Sequence, residues 1–322
     1  MVYKLQDSTK NSIQGVSPLS NRKMFLSYHQ PSFLYGLDTM PINSNDMNKL
    51  EIKYRKVLKC MMSLPDCTPS ALVYLTIGIL PAEAQRDLEI LSLLGQLAMA
   101  DPEIQNVLML INQNLAFFYG GFAGWSGLVR RTAEKYGLPD PLLYLQHPWR
   151  PDRWRSHCQT VITKQWEQQL KAETEPKTTA QYVDLESLSI STPMRLWQQA
   201  GLNSAGAKEA TLASWMYCGV YFTRERMHKF KKIGSPECAC GLEINETLPH
   251  FLLNCQLYDK IRQQHIPQLI NLNTNLTEIC DNEYLLMLSI LDPVSSKLPE
   301  KKLIIGVLLV KLMKLPEYVV IE

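Results

Sequence analysis

Apolar residues recur along most of this chain at the three- and four-residue intervals of an amphipathic helix. In SNDMNKLEIKYRKVLKCMMSLP they fall at Met47, Leu50, Tyr54, Val57 and Met61, which places all five on one face. Ser44 or Asn45 can cap that helix and Pro65 ends it, with Lys49, Lys53, Arg55, Lys56 and Lys59 on the other sides. A second helix is expected from Thr68-Pro69 to Gly78. A third starts at Pro81, with Glu83 in its positive first turn, and continues through LEILSLLGQLAMA. Two helical segments follow Asp101. The connection GLPDPLLYLQHPWRPDRW, broken by Pro139, Pro141, Pro148 and Pro151, cannot be one helix and reads as a bend between subdomains. Beyond it, Trp154, Cys158, Val161, Ile162, Trp166 and Leu170 share one helix face. The polar stretch AETEPKTTAQ then leads to a helical region ending in YFTRERMHKFKK. Residues 1 to 20 are polar and aperiodic, so order is expected from about Asn21. Period-two alternation is almost absent, and the predicted class is mainly α.

Composition alters this picture little. With 46% hydrophobic and 20% charged residues in 322, the chain can bury a sizeable core. A net charge of +2 excludes any argument for nucleic acid or membrane from the total, so local clusters must carry it. The amino terminus MVYKLQDSTKNS has no apolar signal core, and Cys60, Cys67, Cys158 and Cys218 lie at no framework spacing, which predicts reduced thiols in an intracellular protein. The apolar run LIIGVLLVKLMKL is too short to span a bilayer and is interrupted by Lys311 and Lys314, so no membrane partner is expected.

The segment PECACGLEINETLPHFLLNC departs from the helical pattern. Cys238, Cys240, His250 and Cys255 are spaced C-x-C-x9-H-x4-C, a set of three thiolates and one imidazole suited to a closed, structural zinc site. Gly241 permits a tight turn after Cys240, and Thr247 can cap a helix from Leu248 that places His250 in its first turn. Across five residues a regular helix rotates by about 500°, so His250 and Cys255 would point about 140° apart unless the helix distorts or begins after His250. The same residues also read as unrelated thiols, with Cys255 packing beside Phe251, Leu252 and Tyr258. Spacing by itself leaves both readings open.

The order FLYGLDTMPI, LEIKYRKVLKCMMSLP and TIGILPAEA resembles the thumb region of non-LTR (LINE-class) retrotransposon reverse transcriptases. WSGLVRRTAEKYGLPDPLLYL, RWRSHCQTVITKQWEQQL and YCGVYFTRERMHKFKKIGSPECACGLEINETLPHFLLNCQLYDKIR look like that family's carboxy-terminal region, which ends in a zinc-knuckle-like motif. The resemblance covers residues 21 to 265. It implies a helical thumb-like bundle followed by a helical region with a small zinc-knuckle-like module. The expected divisions are a flexible 1–20, a thumb-like 21–100, a connector 101–232, and a knuckle with carboxy-terminal helices at 233–322. It also implies Cys238, Cys240, His250 and Cys255 as zinc ligands, and RNA or DNA as partner. The polymerase of the family uses paired metal-binding aspartates. This chain has no Asp-Asp dipeptide, and Tyr182-Val183-Asp184-Leu185 lacks the second carboxylate. The chain alone is therefore expected to be no enzyme, a truncated remnant that could work with a polymerase supplied by another element.

Two local clusters suit nucleic acid. RERMHKFKK carries Arg224, Arg226, Lys229, Lys231 and Lys232 against one acidic residue, and phosphate contacts need such density. HPWRPDRWR places Arg150, Arg153 and Arg155 beside Trp149 and Trp154, where an aromatic face can stack on an unpaired base. Trp154 and Trp166 also fit the apolar helix stripe and are expected in the core, which leaves Trp149 to stack. The alternatives are an inert or repurposed helical interaction protein, or the carboxy-terminal part of an active RNA-directed DNA polymerase.

Overall fold

A computed structural model describes residues 16–106, 124–198, 204–264 and Met287. The expected segments at 107–123, the carboxy-terminal helices with LIIGVLLVKLMKL, and residues 1–15 lie outside the described residues. Among those described the chain is mainly α, with no strand and only two isolated bridges, Ser189 with Thr192 and Glu237 with Asn245. No described helix is long and apolar enough to cross a membrane.

The chain enters through α1 (Pro18–Met24), a π turn (Phe25–His29) and α2 (Gln30–Leu34). Ser17 and Pro18 are already buried, and Asn21 donates from Nδ2 to the Met61 carbonyl at 2.7 Å, so packing begins slightly upstream of the expected start. Helix α3 (Ser44–Met61) buries Met47, Tyr54, Val57 and Met61, and Leu50 is half-buried, as the period requires. Its cap lies one residue before the expected pair: the Asn43 side chain accepts from the Asp46 amide at 2.8 Å. On its polar side Lys49 pairs with Asp46 at 2.9 Å, and Lys59 donates to the Asp66 carbonyl at 2.6 Å.

Helix α4 (Ser70–Ile77) is buried on every side and ends at Gly78, whose φ of +68° is the left-handed conformation that terminates helices. Arg22 holds that end, donating to the carbonyls of Ile77 at 2.9 Å and Gly78 at 2.8 Å, while the Met194 amide donates to Thr76 at 2.8 Å. Helix α5 (Ala82–Leu97) follows, then α6 (Gly124–Lys135), α7 (Pro141–Gln146) and α8 (Pro151–Thr174). The proline-punctuated connection is thus a short helix between two bends. Helix α8 packs on α4 and α5, and buried residues from both sides of the connection share one hydrophobic cluster.

The α5–α8 contact depends on Gly95. A Cβ there would sit 2.5 Å from Trp154 Cδ1, and Trp154, only 1% exposed, donates from Nε1 to the Leu91 carbonyl at 2.7 Å. Trp154 is core, stacked on Tyr144 at 4.0 Å, and the half-buried Trp166 donates to the Tyr136 hydroxyl at 2.8 Å. That hydroxyl donates in turn to Asp87, which Lys135 also reaches at 2.7 Å. Burial holds the Asp87 carboxyl above its usual range despite Lys135 and Tyr136. A carboxyl raised in the folded state binds its proton more readily there than in the unfolded chain, so its contribution falls as pH rises from about 4 through the raised value. We expect the stability difference between wild type and Asp87→Asn, from urea unfolding at a series of pH values, to shift against wild type as pH rises over that window. A pH-independent difference would contradict the assignment.

After a 3-10 turn (Thr178–Ala180), α9 (Arg195–Gln198) and α10 (Ser204–Tyr217) pack together, and Trp215 donates to the Ser63 carbonyl at 2.7 Å. Tyr182 and Val183 are buried in the core, whereas Asp184 is an exposed turn residue whose side chain accepts from the Glu186 amide at 3.1 Å. The chain then forms α11 (Arg224–Lys229) and the Cys/His segment.

Candidate metal centre and nucleic-acid interface

The backbone between Pro236 and Glu246 folds back on itself. Cys238 donates its amide to the Ile244 carbonyl at 2.7 Å, and Glu246 donates to Pro236 at 2.9 Å. The reversal between them uses Gly241 at φ +81° and Glu243 at φ +50°. Gly241 permits the tight turn there, as expected. On the returning arm, Thr247 Oγ1 accepts from the His250 amide at 3.2 Å, the capping bond anticipated from the sequence.

The helix that Thr247 caps does not stay regular. Residues His250–Asn254 form a π turn, in which the Cys255 amide donates to the His250 carbonyl at 2.7 Å. A turn closed over five residues instead of four winds less per residue, and this reduces the angular offset that a regular helix would impose on His250 and Cys255. Phe251 and Tyr258 fix the turn to the core, with ring centroids 5.0 Å apart, and Phe251 lies 5.5 Å from Tyr221.

The ligand atoms of Cys238, Cys240, His250 and Cys255 all lie within 4.8 Å of one another. Cys238 Sγ is 3.5 Å from Cys255 Sγ, and Cys240 Sγ is 3.6 Å from His250 Nε2. Tetrahedral bonds of about 2.3 Å to sulfur and about 2.0 Å to nitrogen give edges of about 3.8 Å between sulfurs and about 3.5 Å between sulfur and nitrogen. The four groups can hold a metal ion, and the short C-x-C arm reaches it because Gly241 turns the chain immediately afterwards. Burial pushes the Cys238 thiol up to about 12 and raises Cys255, while the Leu242 amide lowers Cys240. A coordinated dication reverses the cost of forming thiolates at the buried positions. Among the described residues, the other buried thiols, Cys158 and Cys218, are also pushed up to about 12 by burial, with no partner set of this kind.

Two residues around the cluster carry no spacing signal in the sequence. Glu246 accepts from the Arg224 amide at 3.0 Å and lies 3.7 Å from Cys238 Sγ, and its carbonyl accepts from the Glu225 amide at 3.4 Å. It therefore joins the start of α11 to the turn that carries Cys238 and Cys240. Arg262, buried, donates to the Cys255 carbonyl and to Asp259.

The basic segment is divided by its surroundings. Arg226 is half-buried and donates to the Gly219 carbonyl at 2.7 Å, and Arg224 is half-buried. Lys229, Lys231 and Lys232 are exposed, with Lys229 3.1 Å from Glu225. In the second cluster, Trp149 is 38% exposed, edge-on to Trp154 and covered on one side by the Arg153 guanidinium at 5.2 Å. Arg150 pairs with Asp152 at 3.3 Å. Arg155 makes two hydrogen bonds of 2.8 Å to Glu89, a bidentate link from α8 to α5 that commits its guanidinium to the fold.

A scan against protein-family models gives no match, and searches of the curated proteins and of the solved structures return none.

Proposed function

We propose that this chain is a zinc-stapled, mainly helical nucleic-acid-binding portion of a non-LTR reverse transcriptase, without polymerase activity of its own. The observation that supports it best is the four-ligand Cys/His cluster, with exposed Lys229, Lys231 and Lys232 on the segment that Glu246 ties to it. The family assignment rests on the sequence resemblance, and the lack of polymerase chemistry on the missing Asp-Asp pair. Three thiolates and one imidazole are the donor set of closed zinc sites, which leave no coordination position for water or substrate. Zinc would thus hold the two arms of the turn together and fix the lysines that follow α11. Trp149, Arg150 and Arg153 form a second surface of the same chemistry at the start of α8.

Single-stranded RNA should bind with a logarithmic salt dependence whose slope is roughly 0.7 per phosphate contacted. Replacing Lys229, Lys231 and Lys232 by Gln is expected to flatten that slope by about two units, similarly for different sequences. An unchanged slope, with zinc content and fold intact, would remove this segment from the interface. Template-dependent nucleotide incorporation by the purified chain with magnesium or manganese would overturn the non-catalytic assignment.

A further inference from the structure

Between the exposed lysines stands an aromatic residue that their charge does not explain. Phe230 directly follows α11, is 49% exposed, and has the Arg226 guanidinium 5.2 Å from its ring centroid. Arg226 is itself fixed, donating to the Gly219 carbonyl at 2.7 Å. Gly219 has φ +60°, and a Cβ on it would lie 2.2 Å from the Thr179 carbonyl oxygen, so this anchor is packed against the core without slack. The ring is consequently backed by a cation with a rigid foundation. After Phe230 the chain turns at Lys231, whose φ of +56° is a left-handed position that favours glycine at helix ends. The turn is closed by Lys231 donating to His228 at 2.8 Å and Lys232 donating to Met227 at 3.0 Å. A long cationic side chain held where glycine is preferred points from backbone geometry to a use for that side chain.

We infer that Phe230, backed by Arg226, is a base-stacking platform within the Lys229–Lys232 phosphate site, and that this site therefore selects unpaired over duplex nucleic acid. This rests on the proposed nucleic-acid function. Stacked bases in a duplex do not offer a free face to a protein ring, whereas every unpaired base does, and the flanking lysines supply the charge a single strand requires. An acidic peptide would complement the lysines but would have no use for a cation-backed aromatic face.

The test uses the full zinc-loaded chain and three probes of equal length: oligouridylate, an abasic sugar-phosphate strand, and an RNA duplex. Wild type should bind oligouridylate about 5- to 150-fold more tightly than the abasic strand, the span of about 1 to 3 kcal/mol expected for one stacked base. Phe230→Ala should cut that preference by about 5- to 150-fold, to no more than the share Trp149 supplies, and leave the salt slope unchanged, and Phe230→Trp should retain it. Zinc content and unfolding midpoint report that each variant is folded. If Phe230→Ala still prefers oligouridylate as wild type does, the platform is refuted, while a flattened slope in the triple-lysine variant would leave the proposed function standing. Equal wild-type affinity for duplex and single strand would also refute it, as would stronger binding of polyglutamate, which identifies an acidic protein partner instead. Failure of wild type to bind any nucleic acid at low salt would overturn both readings.

Discussion

Purified protein is expected to contain about one zinc ion per chain, and the Cys238→Ser, Cys255→Ser double variant to contain none. Binding free energies on the order of 10 kcal/mol become local folding energy when the site is unformed without metal. Here the loss should be uneven along the segment. The His250–Cys255 arm is also held by Phe251, Leu252 and Tyr258 in the core, whereas residues 241–245 at the opposite turn are exposed. A chelator should therefore open the arm carrying Cys238 and Cys240 first. Limited proteolysis should report new cleavage between Ser235 and Thr247, while helical circular dichroism changes little because α3, α4, α5 and α8 also pack on one another. Equal zinc content in wild type and double variant would exclude these ligands.

Gly78→Ala should be among the most destabilising single substitutions outside the metal centre. Two penalties coincide there. A left-handed φ costs an alanine about 1–2 kcal/mol, and the new Cβ would lie 2.2 Å from the Thr192 carbonyl carbon and 2.5 Å from the Pro193 nitrogen. Those are backbone atoms, and the neighbouring Met194–Thr76 hydrogen bond and the Arg22 contacts to Ile77 and Gly78 leave them little freedom to retreat. A total of about 3–5 kcal/mol is expected, in the range of severe core lesions. Gly36→Ala provides the comparison, because its φ of +74° is similar but nothing lies within 4 Å of the added carbon. That variant should lose only about 1–2 kcal/mol. Urea unfolding of both separates the steric contribution from the conformational one, and equal losses would show that the loop after Ser191 yields.

Helical period is local, and so the elements it governs were readable. The face of α3, the Gly78 stop of α4, the Pro81 start of α5 and the stripe of α8 each follow from residues within a few turns of one another. Caps shift by a residue, as at Asn43, because neighbouring polar side chains compete for the same free amides. Trp154 was placed in the core by the same stripe, but its partner Gly95 was not foreseeable, since the contact depends on how closely α5 and α8 approach. Arg155 illustrates the converse. Its charge suggested phosphate, and only packing brings it to Glu89.

By itself the sequence determined the mainly helical class, the four candidate ligands, the turn at Gly241 and the cap at Thr247, because these depend on residue type and short-range spacing. It also defined the difficulty between His250 and Cys255 without resolving it. Tertiary structure decided the rest. The π turn that aligns those two ligands is fixed by Phe251 against Tyr221 and Tyr258, the link from α11 to the turn is made by Glu246, and Phe230 acquires its backing from an arginine anchored at Gly219. Each of these joins segments through side-chain contacts whose existence depends on the packed chain, and no local periodicity encodes them.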